Sequence, residues 1–466
     1  MHFFLPIALV VALSTVSAIS REWKSSRYGS TVGTLADEPV TTGICDDTVG
    51  QMSGYFNVKS GVDKNYFFWF FESRTKSQAT DPLVIWLTGG PGCSSQLALM
   101  TENGPCTANA EGTDTINNIY SWNSNSNIMW IDQPANVGYS YGAPGKEDMD
   151  HDQEEVSEDM YNFLQAFFTK HDMYLPNEFY VFGESYGGHF VPAISKRIYD
   201  GNNNKEGLHI NLAGLGVGNG LTDPVVQYQY YPEMAMNNTY NIKTVSEETY
   251  ESMLKHVPTC TKLAQACQED HSKCEAADDY CNMKETSPYY ATGLNPYDIR
   301  KPCGDSSLCY DFTNIETFLN LQSTKDALHV SEKVKTWTEC NNVVNAGFMG
   351  DWMRDYSTDI APMLEDNIRV LIYAGDTDFI CNWIGNKAWT KQLAWSGKDS
   401  FNAEADADWT ADNGKAAGNG RSASAASGTG KLTFLQVFEA GHMVPMDQPE
   451  VALNMLNNFI TNKDFN

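Results

Sequence analysis

One stretch limits the folds open to this chain: Phe179-Tyr180-Val181-Phe182-Gly183-Glu184-Ser185-Tyr186-Gly187-Gly188-His189. Four strand-forming residues run into a serine flanked by glycines, and a helical pattern follows. A sharp strand-to-helix turn of this kind holds a serine hydroxyl exposed at its tip. The glycines let backbone segments pass where a Cβ would clash. The helix that begins just after Ser185 points its positive end at any anion formed there. Read alone, the same residues also suit a Gly-rich turn after a core strand, so the rest of the chain has to decide.

Tyr66-Phe67-Phe68-Trp69-Phe70-Phe71 and Leu83-Val84-Ile85-Trp86-Leu87 read as buried strands. The second runs directly into Thr88-Gly89-Gly90-Pro91-Gly92-Cys93-Ser94-Ser95, where glycines leave backbone N–H groups free to face a ligand. A Gly-rich loop after an early strand is where α/β-hydrolases place half of an oxyanion hole. Ile128-Met129-Trp130-Ile131-Asp132 is a further strand, and Asp152 caps a helix with Val156, Met160, Phe163, Leu164 and Phe167 on one face. The elbow strand comes next, then a Gly-rich strand from Leu212 to Gly220. This alternation predicts an α/β-hydrolase fold, a mostly parallel central sheet with helices on both faces.

Between residues 221 and 360 the alternation stops. Seven of the eleven cysteines lie there, and the stretch reads as an inserted, disulfide-rich, mainly helical cap. Cys260, Cys267, Cys274 and Cys281 recur every seven residues, which suits a helical hairpin tied by nested disulfides as well as it suits chance. Cys303 and Cys309 close a small loop. The core, begun at 43–220, resumes at 361–466. Arg369-Val370-Leu371-Ile372-Tyr373 is a strand that leads to Ala374-Gly375-Asp376-Thr377-Asp378. Residues 402–430, rich in Ala, Gly, Ser and Asp, read as a mobile surface excursion. A last strand, Leu432 to Phe438, leads to Glu439-Ala440-Gly441-His442, and a terminal helix starts near Pro449.

Residues 1–18 read as a signal peptide: Phe3 to Leu13 is nearly all apolar, and Val16-Ser17-Ala18 carries small residues where a signal peptidase cuts. Residues 19–42 are polar and read as a loose arm or short propeptide. No stretch reaches membrane length. With a signal peptide, eleven cysteines imply disulfides and one leftover thiol. Zinc would need short Cys-x-x-Cys pairs, so neither a metal nor a cofactor is expected. A net charge of −28 disfavours nucleic acid and anionic lipid as partners and fits an acidic compartment. Asn237-Asn238-Thr239 is a glycosylation sequon.

Ser185 needs a base to take its proton, and that base needs an acid to fix its tautomer. On this fold the chain order is Ser, then Asp or Glu, then His. Two post-strand loops offer Asp376 or Asp378, then His442; the pattern alone leaves the aspartate open. Glu184, beside the nucleophile, would repel an oxyanion unless protonated. Glu102 could share its proton, since a close acid pair raises one pKa, and such a pair could bind a carboxylate at acidic pH.

Taken together, Trp86 to Ser95, Gly183 to Gly188, Gly375-Asp376-Thr377-Asp378 and Gly441-His442-Met443-Val444-Pro445 resemble the serine carboxypeptidases over residues 43–466. The resemblance implies Ser185, Asp378 and His442 as the triad and the N–H groups of Gly90 and Tyr186 as the oxyanion hole. It implies that Trp86, Thr88, Gly89, Glu102 and Glu184 hold the C-terminal carboxylate of a peptide or protein substrate. Thr88 stands where the family has Asn. Tyr297, Tyr310, Cys381 and Met443 match side-chain pockets. The implied disulfides are Cys93–Cys340, Cys303–Cys309, Cys260–Cys281 and Cys267–Cys274; Cys45 and Cys106 are left to pair with each other and Cys381 stays free. Removal of C-terminal amino acids at acidic pH is the implied activity, in a lysosome- or vacuole-like compartment or outside the cell, with monomer and homodimer both open. The alternative is an acyltransferase of the same fold, but those relatives commonly have Asp at the position of Glu184. A purely protective or binding role is a third reading that an intact triad disfavours.

Overall fold

The computed structural model describes residues 37–142, 149–306, 308–428 and 430–465; the expected signal peptide and most of the arm at 19–42 lie outside them. Six strands form the parallel centre of a twelve-stranded sheet, in spatial order Asn127–Asp132, Leu83–Leu87, Phe179–Ser185, Leu212–Gly220, Arg369–Gly375 and Lys431–Val437. Antiparallel strands extend it on both sides, so the sheet is parallel only at its centre.

Strand alternation explains why both faces are covered. Ile85, Leu87 and Val181 point into one hydrophobic cluster, and Val84, Trp86, Tyr180 and Phe182 into another on the opposite face. The first face takes the helix Gln153–Lys170, whose start is capped by Asp152 accepting from the N–H groups of Glu154 and Glu155. Its Phe163 and Phe167 meet Phe56 and Phe68 edge-on at 5.4–6.3 Å. Burying each such ring contributes roughly 1.5–3 kcal/mol. The helix Gly187–Asn204 lies beside it, and the terminal helix Pro449–Ile460 packs on the second face with Val451, Leu456 and Ile460 buried.

Every described element between Pro224 and Glu365 is helical. Met253, Cys260 and Tyr289 of this insertion share one buried cluster with Val181 of the elbow strand, so insertion and sheet pack as one hydrophobic body. Cys260–Cys281 encloses Cys267–Cys274 across a hairpin of the helices Glu247–Glu269 and Cys274–Cys281. Cys45–Cys106, Cys93–Cys340 and Cys303–Cys309 complete the pairs named above, and Cys381 is a buried free thiol.

Two expectations are corrected. The supposed mobile excursion at 402–430 contains the strands Ala407–Thr410 and Ala416–Ser424, which extend the sheet beyond Lys431–Val437. Its small residues serve backbone contact: a Cβ on Gly418 would sit 2.0 Å from the Gln436 carbonyl oxygen. The loose arm ends in an edge strand, Asp37–Pro39, paired with Gln51–Asn57. Buried Asp37 is held there by Lys170 and His171.

Candidate active site

Ser185 ends its strand at φ 63°, in the left-handed region, and the helix Gly187–Asn204 starts two residues later. Such a conformation in a non-glycine residue is the strained tip that an elbow requires. The Leu221 N–H donates to the Ser185 carbonyl at 2.9 Å and ties the tip to the next strand's exit. The loop at 88–90 lies against this turn: a Cβ on Gly89 would fall 2.3 Å from the Tyr186 nitrogen and 2.6 Å from the Glu184 carbonyl oxygen. Only glycine permits that approach, which brings Gly90 beside Ser185 in one cavity. From the helical insertion, Asn345 donates to the Gly90 and Pro91 carbonyls at 3.2 and 3.1 Å, and Cys340 bonds to Cys93.

Of the two aspartates, Asp378 is the one that meets the imidazole. His442 Nδ1 donates to Asp378 Oδ2 at 2.8 Å, and both side chains are buried. Asp376 faces elsewhere, accepting from Tyr240 Oη at 3.0 Å, Gln436 Nε2 at 3.2 Å and the Glu439 N–H at 3.0 Å. It pins the imidazole-bearing loop instead of touching the ring. Asp378 also accepts from Asn219 Nδ2 at 2.8 Å and from the N–H groups of Ile380 and Cys381 at 3.1 and 3.2 Å. The imidazole loop is held by its own backbone: the His442 N–H donates to the Tyr297 carbonyl at 2.8 Å, and the Gly441 N–H to Asp447 at 2.7 Å.

Ser185 and His442 line one cavity of about 230 Å³, together with Thr88, Gly89, Gly90, Glu102, Glu184, Tyr297, Tyr310 and Met443. Trp86 is buried behind it and donates its indole N–H to Thr88 Oγ1 at 3.1 Å, which leaves the threonine's own proton available. Burial drives the carboxyls of Glu102 and Glu184 upward, Glu102 to about 7 and Glu184 well above the usual range. The charge of Glu102 adds to the rise at Glu184, so the pair retains a proton where an isolated carboxyl would not. A second cavity of about 340 Å³ shares Gly90, Ser185 and Tyr297 with the first and is lined further by Tyr186 and Cys381. Burial pushes the Cys381 thiol up, so it stays protonated. Asn237, exposed at the end of the helix Tyr231–Met236, donates to Glu233 and Tyr250 at 3.1 and 3.3 Å.

Among the described residues, no group of three or more His, Cys, Asp or Glu is placed to hold a metal ion, and no helix is long and apolar enough to cross a membrane. Sequence reasoning missed Asn219 and Asn345. The one signal for Asn219 is its place among glycines at the carboxyl end of a central strand, the edge on which parallel sheets assemble their sites; Asn345 has none.

A serine on a strand-to-helix elbow, beside a buried imidazole–carboxylate pair at the carboxyl edge of a parallel sheet, defines a serine hydrolase of the α/β-hydrolase fold. The chain is narrower in kinship than that. The sequence profile of the serine carboxypeptidases matches residues 42–462, and the protein belongs to that family of peptide-bond hydrolases. It is 42% identical over 416 residues to a serine carboxypeptidase-like protein of Oryza sativa subsp. japonica, covering 89% of this chain and 93% of that one. Carboxypeptidase Y of Komagataella phaffii is 42% identical over 420 residues, covering 89% and 76% respectively. Among solved structures, a prohormone-processing carboxypeptidase from Saccharomyces cerevisiae, Kex1(delta)p, superposes with a TM-score of 0.77 at 26% identity, covering 91% of this chain and 94% of that one.

Proposed function

We propose that this protein removes single amino acids from peptide C-termini through an acyl-enzyme on Ser185, working at acidic pH. His442 takes the Ser185 proton as the hydroxyl attacks the last peptide bond, and Asp378 fixes the ring with Nε2 toward the serine. The N–H groups of Gly90 and Tyr186 receive the developing oxyanion; the latter opens the helix Gly187–Asn204, so the dipole adds to the field. His442 passes its proton to the leaving amine, and water then releases the shortened peptide.

The observation that carries this reading is the Glu102–Glu184 pair within the cavity of Ser185 and His442. A carboxylic acid that keeps its proton donates a hydrogen bond to a substrate carboxylate, and the chain end places one directly after the last peptide bond. Thr88 and Gly89 line the same cavity, with Trp86 buried behind Thr88. The leaving residue's side chain then meets Tyr297, Tyr310 and Met443, and the residue before it enters the cavity lined by Tyr186 and Cys381. Five disulfides support folding in an oxidising secretory compartment, and the proton requirement supports an acidic destination.

N-blocked dipeptides with free and amidated C-termini test the proposal. Only the free form is expected to release its last residue at pH 5, and Ser185→Ala is expected to abolish release. Equal cleavage of both forms would rule out recognition of the chain end.

A further inference from the structure

We propose that Asn219 is a positioning residue of this site: through its side-chain amide it holds the Asp378 carboxylate in the orientation that His442 requires. The inference rests on the reading of Ser185, His442 and Asp378 as the reacting group.

The strand Leu212–Gly220 lies between the strand that carries the serine and the one that leads to the aspartate. After an earlier shift between Leu212 and Gly214, its pairing with the elbow strand runs in step from Gly214 opposite Tyr180 to Gly218 opposite Glu184; the next partners are Gly220 and Ser185, so Asn219 is an extra residue. A bulge of this kind re-aims one side chain and is common beside active sites. Asn219 has φ 39° and is fully buried. Its Oδ1 accepts from the Gly375 N–H at 3.0 Å, and its Nδ2 donates to Asp378 Oδ2 at 2.8 Å. One side chain thus bridges the serine-bearing half of the sheet to the acid loop. Asp378 Oδ2 then has a fixed donor besides His442 Nδ1 at 2.8 Å and the Cys381 N–H at 3.2 Å. The bulge itself requires only a residue tolerant of positive φ, for which glycine suffices. The carboxylate is what requires the amide: without it, the donors left to Asp378 apart from the imidazole belong to its own loop, and the carboxylate is free to swing off the line to Nδ1.

Two variants separate donor from backbone. Asn219→Gly keeps the conformation and removes both hydrogen bonds. Asn219→Asp keeps the acceptor for Gly375 and donates to Asp378 only while the two carboxyls share a proton. Ser185 phosphonylation by a biotinylated fluorophosphonate, which expels fluoride and needs no peptide, is followed at pH 5 and pH 7.5 beside kcat and KM for an N-blocked dipeptide. For Asn219→Gly, labelling and kcat are expected to fall roughly 10- to 100-fold at both pH values with KM within about twofold. Asn219→Asp is expected to stay near the wild type at pH 5 and to fall toward the glycine variant's level as the shared proton is lost above pH 7. Rates within about twofold of wild type for a folded Asn219→Gly at both pH values would overturn the proposal, as would Asn219→Asp rates that follow the wild type from pH 5 up to pH 9. A wild-type protein that labels at Ser185 yet releases no C-terminal residue would instead refute the carboxypeptidase reading and leave the Asn219 comparison standing.

Discussion

Raising the pH through the titration of Glu102 separates substrate recognition from chemistry. Burial places that carboxyl at about 7, while Glu184 stays protonated well beyond. On the proposed reading, below pH 7 the pair donates to the terminal carboxylate of a peptide. Above it, Glu102 carries a negative charge in the cavity that must accept another. Binding therefore takes up a proton, and KM for a free C-terminus is flat from about pH 5 to 6.5, then rises roughly tenfold per unit. The rise ends when the remaining donors, Thr88 and Glu184, set the affinity. A hydrogen bond to a charged group is worth about 1.5–3 kcal/mol, so the plateau lies about 10- to 150-fold above the acidic value. Glu102→Gln removes the titration while keeping N–H donors, and the KM profile of that variant stays level through about pH 8. The assay measures kcat and KM of an N-blocked dipeptide from about pH 4.5 to 8.5, with the variant in parallel. A break in KM near pH 7 that survives in Glu102→Gln would refute the argument, because the titrating group would then lie elsewhere.

The same shift bears on stability. Glu102 rises from 4.5 to about 7 on folding, so its stabilising contribution is full below about pH 4.5 and is lost as pH climbs to about 7, amounting to about 3 kcal/mol. Melting temperature should accordingly drop between about pH 5 and 7.5, and drop less in Glu102→Gln; an identical fall in both would contradict this. Thr88→Val removes the hydroxyl and orphans the Trp86 indole donor, and is expected to raise KM for free C-termini roughly tenfold with kcat nearly intact. Gly89→Ala drives a methyl to 2.3 Å from the Tyr186 nitrogen; fluorophosphonate labelling at Ser185 should fall below detection even where circular dichroism shows a folded protein. Thiol titration of denatured, unreduced protein should return one equivalent, from Cys381.

Motifs that bend a local backbone were legible in the chain. The elbow shows because a strand, a glycine and a serine are adjacent, and the loops carrying Asp378 and His442 show because each follows an apolar run. The aspartate was ambiguous because Asp376 and Asp378 share one loop, and their side chains part through contacts remote in sequence, Tyr240, Gln436 and Glu439 for the first and Asn219 and His442 for the second. The contact of Asn219 with Asp378 could not be read, because a bulge is a relation between two strands. The strand Ala416–Ser424 was misread because small residues that let backbones approach have the same composition as a flexible linker. Gln51–Asn57 was missed because Gln, Ser, Gly and Asn dilute its apolar positions, although Tyr55 and Phe56 are buried.

Cys93 and Cys340 are joined across 247 residues, and on either side of that bond the Asn341 N–H donates to the Gly92 carbonyl and the Ser94 N–H to the Glu339 carbonyl, each at 2.8 Å. The glycine loop beside the nucleophile is therefore held by two segments far apart in the polypeptide. A ribosome extruding this chain delivers the serine early and the scaffold for its loop late. The loop at 88–95 therefore waits for its final shape on a segment synthesised long after it.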